Sequence, residues 1–446
     1  MGAPPFPPGG DQPPWSRAYP AGVPTTYPYP TVSAARLLDD AAQDFPEAIA
    51  VEYRRYRLNY RKLADHVDRL ATALADLEIG PGAEVALMLP NCPQLIIALF
   101  AAWRVGAKVR LLSRDDAAVP GDRRPSAVVV LDRWYAHADP SLHALGGHGV
   151  RVIVTGVGDY LPFPENVLVP VWRFMRGRAV RIPDRDGVLD LGDLVRRNLP
   201  APDEPPGADK LAALIADDGE ITQHQLVINS FQLRLWLPDV VAGDERVLLA
   251  IPLSSTLGAL WIVMSVLAAA TMTVVDDRRG AVRRRIAVRA RPTILPFDRT
   301  LAKQLLRPAR GRATMSSVRI AITRDRLGHK RRRAMEELTD KGRIRSVWGI
   351  RGLLTHADPV YGRYIEKTVG LPLPDTAAAI ATADEPPHAA PLGHRGRLWL
   401  RGPQLRDGQW TDARVDGTLN ADGYLTVHPE REEPPADPSA SVRTAG

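Results

Sequence analysis

Cysteine is almost missing from this 446-residue sequence, where Cys92 is the one thiol. That count excludes an intramolecular disulfide framework, a multi-cysteine zinc site and an iron–sulfur cluster, and it fits a reducing cytoplasm. Aromatic residues are scarce at 6%. The start, MGAPPFPPGGDQPPW, has no basic stretch followed by an apolar run, so no secretory signal is expected. Phe6 stands where a myristoylation pattern needs Ser or Thr. One stretch, Leu248–Val275, lacks charge for long enough to span a bilayer. Pro252, Ser254, Ser255, Thr256 and Gly258 punctuate its first half, so it reads as a buried strand (Val247–Ile251), a turn, a helix (about Ala259–Ala269) and a strand (Met272–Val275).

What is present is the composition of a folded protein: 45% hydrophobic and 24% charged residues. The length allows two to four domains at roughly 100–200 residues each. Many of the 41 prolines crowd residues 4–30 and 434–438, which read as tails or braces. Net charge is +7, from 58 Lys and Arg against 51 Asp and Glu. Two basic runs stand out: Arg283, Arg284, Arg285, Arg289 and Arg291, and Lys330, Arg331, Arg332 and Arg333. Each reads as a solvated helix face, with contact to anionic lipid or nucleic acid as the alternative. Without interleaved aromatics the runs carry no signature of specific nucleic-acid recognition.

Hydrophobic periodicity gives the architecture. Ser33 caps a helix over 33–45. Leu63, Val67, Leu70, Leu74 and Leu77 alternate spacings of four and three, one apolar stripe on a helix that Gly80-Pro81-Gly82 stops. Val85–Leu89 is an all-apolar strand buried on both faces. Pro93 opens the next helix and Gly106 closes it before a strand at Lys108–Leu112. The strand–helix–strand pattern returns at Ala127–Leu131, Val150–Thr155, Val247–Val275 and Val318–Leu338, implying parallel sheets with right-handed crossovers. From about Gly393, short strands at Arg397–Arg401 and Tyr424–His428 suggest a smaller β-rich unit. The expected α/β organisation is a tail over 1–30, α/β subdomains at 31–200 and 210–390 around a linker near 196–209, a β-rich subdomain at 391–431, and a disordered tail at 432–446.

The segment PGAEVALMLPNCPQLIIALFAAWRVGAKV (81–109) resembles the N-terminal signature of AMP-forming acyl-CoA synthetases, the adenylate-forming superfamily. RLNYRKLADHVDRLATALADL (57–77) resembles the helix before it. WSRAYPAGVPTTYPYP (15–30) and DYLPFPENVLVPVWRF (159–174) are similar to the long-chain fatty-acid–CoA ligase branch. VGLPLPDTAAAI (369–380) and LWLRGPQLRDGQW (398–410) are similar to the later half of the same large domain. The resemblance implies that domain's stacked α/β subdomains. It also implies a chemistry using ATP and magnesium: a carboxylate attacks the α-phosphate to give an acyl-adenylate, and coenzyme A then displaces AMP.

The resemblance can be followed motif by motif. The Gly-rich phosphate loop should lie within LAALIADDGEITQHQLVINSFQL (211–233), where Asp217, Asp218 and Glu220 stand instead, either an acidic turn or carboxylates that repel polyphosphate. Thr222, Gln223 and His224 occupy the Thr-His helix start. The acyl-pocket segment keeps Pro252, Leu253 and Gly258 but has Ser254 and Ser255 where the family has an aromatic and a His. Thr323, Arg324, Asp325 and Arg326 replace the adenine-facing glycines, which reads as a basic loop that has left the ligand. In the Y-G-L-T-E segment, here Trp348-Gly349-Ile350-Arg351-Gly352, Arg351 takes the place of the phosphate-binding Thr. Gly352 takes the place of the magnesium-binding Glu and has no side-chain oxygen to offer. Asp412 matches the ribose-binding Asp, with a plain turn residue as the alternative. The sequence reaches Gly446 shortly after the family's hinge, so the Lys-bearing C-terminal domain is expected to be absent.

The scaffold features persist while the polar catalytic ones differ, and charge-stabilising groups usually make the largest contribution to catalysis. The sequence therefore suggests a degenerate acyl-CoA synthetase homologue without catalytic residues or a metal site. Trp348, Gly349, Arg351 and Asp412 are its nucleotide-binding candidates, and Ser254, Ser255 and Gly258 its acyl-pocket candidates. Its expected partners are a fatty acid, an acyl-CoA, an active ligase or the periphery of a membrane, in a cytoplasmic setting, and ATP and Mg enter only if activity is retained. The alternative is an active ATP-dependent fatty-acid–CoA ligase with divergent motifs or a separately supplied C-terminal domain.

Overall fold

The computed structural model describes residues 13–113, 125–135, 150–162, 164, 165, 167, 168, 175, 187–196, 204, 205, 207–216, 219–276, 280–307, 314–340, 342–382, 388–405 and 408–428. Asp217, Asp218, most of the expected linker, the hinge from Pro429 and the expected C-terminal tail lie outside these residues.

Capping chemistry starts the first two helices. Ser33 Oγ accepts the Arg36 amide at 3.0 Å ahead of α1 (Ala34–Asp44). A short hairpin, β1 (Ile49–Tyr53) and β2 (Tyr56–Asn59), follows. Asn59 then accepts the Lys62 amide at 3.0 Å to open α2 (Tyr60–Asp76), whose Leu63, Val67, Leu70 and Leu74 are buried. This helix ends at Asp76, before the Gly-Pro-Gly turn. Strand β3 (Glu84–Met88) is buried throughout, and Pro93 opens α3 (Pro93–Arg104), which is buried on every side. Parallel strands β4 (Lys108–Leu111), β5 (Ala127–Leu131), β6 (Arg151–Thr155) and β7 (Val188–Asp190) follow, then α4 (Leu191–Arg196). The hairpin β8 (Ala212–Ala216) and β9 (Gly219–Thr222) completes a seven-stranded sheet in the order β7-β6-β5-β3-β4-β8-β9, parallel except for β9.

The second sheet is threaded by both halves of the chain. Helix α5 (Gln223–Trp236) leads to β10 (Arg246–Leu249), α6 (Thr256–Leu267) and β11 (Thr271–Val274). These last three form the strand–helix–strand unit expected of the uncharged stretch, and no helix among the described residues is long and apolar enough to cross a membrane. Next come α7 (Gly280–Ala290), β12 (Ile294–Pro296), α8 (Arg299–Leu305), β13 (Ile320–Thr323), α9 (His329–Leu338), β14 (Arg343–Trp348), β15 (His356–Ala357) and β16 (Leu371–Pro372). The nine strands run β16-β15-β14-β13-β12-β10-β11-β1-β2, so β1 and β2 join a sheet otherwise built after residue 245, with Val51 in register with Met272.

Alternation along these strands separates two cores. Val247, Leu249, Ile294, Ile320 and Ile322 face the main core, which is shared with α1–α3, α5 and α6. Leu248, Leu295, Ala321 and Ile344 face a second core closed by α7, α8 and α9. The antiparallel sheet takes its first strand ahead of residue 391: β17 (Ala377–Ala381) pairs with β18 (Arg395–Arg401), followed by β19 (Thr411–Leu419) and β20 (Leu425–Val427). Residues 13–30 act as a brace. Trp15 is buried, the Tyr19 hydroxyl donates to the Pro372 carbonyl at 2.6 Å, and the Tyr27 amide donates to Asp375 at 2.9 Å.

Candidate functional site

Open parallel sheets bind ligands at the carboxyl ends of their strands. Here a cavity of about 480 Å³ lies at the carboxyl ends of β10, β12, β13 and β14, against the start of α6. That is an ordinary size for a small-molecule site. Trp261 of α6, Phe297 just past β12 and Trp348 at the end of β14 supply its aromatic wall, and Thr323, Arg324 and Asp325 its polar one.

The turn into α6 is built by Ser255 and Gly258. Ser255 Oγ donates to the Pro252 carbonyl at 2.9 Å and accepts the Gly258 amide at 3.0 Å, so it is the helix cap as well as a lining residue. A Cβ on Gly258 would sit 2.5 Å from the Leu253 Cα, so only glycine allows the turn to close. Ser254 is half-buried and, like Gly258, is not among the lining residues. Of the three acyl-pocket candidates, Ser255 alone reaches the cavity.

Charge in the cavity is unevenly committed. Asp298 caps α8, accepting the Leu301 amide at 2.6 Å. Asp325 accepts the Arg299 amide. Among the described residues, the only side-chain hydrogen bond of Arg324 is a 3.3 Å contact to the Gly349 carbonyl. Partial burial pulls the pKa of that guanidinium down, with Asp325 opposing the shift. Thr323, Arg324 and Asp325 of this segment line the cavity, while Arg326 bonds the Val427 carbonyl in β20.

The nucleotide-binding candidates are dispersed. Trp348 lines the cavity and packs edge-on against His356, with ring centroids 5.9 Å apart. Gly349 contributes the carbonyl that holds Arg324. Arg351 donates to the Glu220 carbonyl at 3.1 Å, tying β14's turn to β9, and Glu220 pairs with Lys108 at 2.5 Å. Gly352 has φ +80, and a Cβ there would meet the Thr256 Cβ at 2.4 Å. Asp412 is absent from the lining; its two oxygens accept from Arg397 at 2.8 and 3.2 Å, and one also accepts the Arg414 amide at 2.8 Å. At the Thr-His position, Thr222 and Gln225 form a reciprocal cap, and Gln223 is buried between the Ala34 amide and the Trp103 carbonyl.

Two aromatic lining residues had no place among the sequence candidates. Trp261 stands one turn beyond Gly258, and Phe297 directly follows a buried strand. An aromatic residue at the carboxyl end of a parallel strand is the signal that marks the second.

A family model for AMP-binding enzymes matches residues 38–117 and 220–410, which takes in the strands, the α6 turn and the cavity wall just described. The chain belongs to the AMP-binding enzyme family. This family member is 25% identical over 438 residues to a long-chain-fatty-acid–CoA ligase of Bacillus subtilis, covering 93% of this chain and 77% of the relative. A salicyl-AMP ligase of Mycobacterium tuberculosis is 43% identical over a shorter stretch of 76 residues, 16% of this chain and 14% of that protein. Among solved structures, a long-chain-fatty-acid-CoA ligase from Archaeoglobus fulgidus superposes with a TM-score of 0.73 at 15% identity, covering 92% of this chain and 86% of that one. A Rhodopseudomonas palustris structure described as a putative long-chain-fatty-acid CoA ligase gives 0.71 at 21% identity, with 90% and 99% covered. At these identities the structural likeness establishes the α/β fold of the large domain with its small antiparallel sheet.

Proposed function

We propose that this AMP-binding family member binds a carboxylate-bearing acyl ligand, a fatty acid or acyl-CoA, without activating it. The observation that carries the reading is Arg324, a guanidinium with hydrogen-bonding capacity to spare beside an aromatic cavity wall, while Asp298 and Asp325 each accept a backbone amide. A carboxylate meeting such a guanidinium forms a charge-assisted pair, and the aromatic wall takes the chain.

The same residues do not fit magnesium-bound ATP. Gly352 has no side-chain oxygen, and a Cβ there would meet the Thr256 Cβ at 2.4 Å. Asp298 and Asp325 are held by amides, and no group of three metal-ligating side chains occurs among the described residues. Magnesium beside a nucleotide is usually held by one or two protein carboxylates together with the phosphates, and neither Arg351 nor Gly352 has a carboxylate to give.

Calorimetry with saturated fatty acids of several lengths, and separately with ATP and magnesium, tests the proposal. Acid binding without nucleotide binding is expected. Arg324→Ala should weaken acid binding by about fivefold, the equivalent of about 1 kcal/mol for an exposed charge pair. Formation of AMP or acyl-CoA from ATP, magnesium, coenzyme A and fatty acid, above a heat-treated control, would overturn it in favour of an active ligase.

A further inference from the structure

The two basic runs lie far apart in sequence, but the fold brings them to one side. Helices α7, α8 and α9 cover the same face of the nine-stranded sheet. Their inward residues Ala287, Ala290, Leu301, Leu305, Met335 and Leu338 close a single core against that face. The three helices hold ten Lys and Arg against two Glu, a net +8, whereas the whole chain carries +7. The chain's entire positive excess is therefore concentrated in this helical layer.

The charges also point the right way. Arg285 and Arg289 on α7, and Arg299 and Lys303 on α8, are four-residue pairs on outward rows; all four are exposed, as are Arg291 and Lys330. None of these six makes an ion pair among the described residues, and the acids on the layer are few: Glu337 is taken up by Arg333, leaving Glu336. Like charges this close repel one another, so the layer is held together by its apolar underside and lowers its own energy by meeting anions.

The geometry points to a docking face for an anionic bilayer surface. A row of three helices over a sheet offers a broad face, suited to many laterally spread headgroups. Anionic lipid attracts such residues by about fivefold in affinity for each Lys or Arg near the surface. Nucleic acid is the weaker candidate: none of the three helices contains Phe, Tyr or Trp to stack on bases. This inference stands apart from the cavity's ligand, because it rests on the outer rows of α7–α9 alone.

The test is co-sedimentation of the full chain with phosphatidylcholine vesicles and with vesicles of phosphatidylcholine and phosphatidylserine, neither loaded with fatty acid. Binding to the anionic vesicles alone is expected, falling as salt rises. Arg285→Glu, Arg289→Glu and Lys303→Glu together should weaken it on the order of 100-fold or more. Arg17→Glu, Lys62→Glu and Lys210→Glu, exposed residues outside these helices with the same total charge change, should leave it within a few-fold of the parent. The Gln versions of the face variant provide the same comparison should the reversed one melt early. Equal loss in both variants, no binding to the anionic vesicles, binding that persists at high salt, or binding of single-stranded RNA in preference to vesicles would each overturn the proposal.

Discussion

Two buried titratable groups at one short strand, one on it and one just past its end, should give opposite pH dependences of stability, and Asp358→Asn should separate them. Asp358 is fully buried, just past β15. One oxygen accepts the Ser346 amide at 2.8 Å, and the other has no partner. The nearest guanidinium, Arg332, stands 4.0 Å away, because it bonds the Ile344 carbonyl at 2.8 Å and stacks on Tyr364. Burial therefore outweighs the Ser346 hydrogen bond and the charges of Arg332 and Arg345, and raises the Asp358 carboxyl from 3.8 to about 6. The folded state then keeps a proton that the unfolded chain has lost, so stability falls as pH rises from about 4 to about 6, by roughly 3 kcal/mol in total. His356 does the reverse. Burial lowers its pKa from 6.5 to about 3, so the unfolded chain takes up a proton that the native imidazole refuses, and stability rises with pH across nearly the same window, by up to roughly 5 kcal/mol. Urea unfolding of the parent and the variant from pH 4 to 7 isolates the carboxyl as a difference. The advantage of the parent over Asp358→Asn should shrink by roughly 3 kcal/mol between pH 4 and pH 7, and the variant alone should show the steep histidine-driven rise. A difference that stays flat, or grows with pH, would mean that Arg332 compensates the buried charge and that the reasoning from burial is wrong. The outcome bears on the cavity, because the neutral His356 ring is what Trp348 packs against.

Gly258→Ala should destabilise the fold by about 3 kcal/mol, at the upper end for overpacking because the clash is with backbone, and thermal unfolding will read it. Cys92 is wholly buried and its thiol is pushed up to about 12, so iodoacetamide should fail to label the native protein at neutral pH while labelling it in urea. Asp412→Ala removes a surface ion pair in which Arg397 and Asp412 are 41% and 36% exposed, so it should cost at most about 1 kcal/mol by denaturation, with no change in ligand binding by calorimetry.

Much of the fold could be read because its strands are continuous apolar runs between glycines and prolines, as strands buried on both faces must be. Strands β3 and β5 are of this kind, and Pro93 and the α2 stripe behave as their positions suggest. Which strands pair could not be read. Periodicity carries no address, and the meeting of Val51 with Met272 depends on both cores closing at once. The start of the antiparallel sheet was hidden for a different reason. Ala377–Ala381 is mostly alanine, a poor strand former that is held here by pairing with Arg395–Arg401. At the site, the motif positions led to the right turn. Ser255 lines the cavity and also caps the helix, while Trp261 and Phe297 line the cavity without belonging to any motif. The ion partner of Asp412, fifteen residues earlier on a neighbouring strand, is invisible without register.

Arg351 offers the sharpest separation between a nucleotide contact and a structural tie. It holds φ +53, a conformation that costs a non-glycine residue about 1–2 kcal/mol. In return its guanidinium gains the bond to the Glu220 carbonyl, typically worth about 1 kcal/mol. Arg351→Gly relieves the first and forfeits the second, so the two changes should nearly cancel and the unfolding midpoint should move little. The local effect should be different in kind. With Lys108 alone left to hold Glu220, the β8–β9 hairpin loses its link to the turn after β14, and amide exchange across Glu220–Thr222 should quicken while the β13 and β14 amides stay protected. If Arg351 instead serves a nucleotide, ATP should slow exchange in the parent at those same hairpin amides and lose that effect in the variant. Exchange that quickens in the variant and ignores ATP in both proteins would identify Arg351 as the tie between the β8–β9 hairpin and the turn after β14.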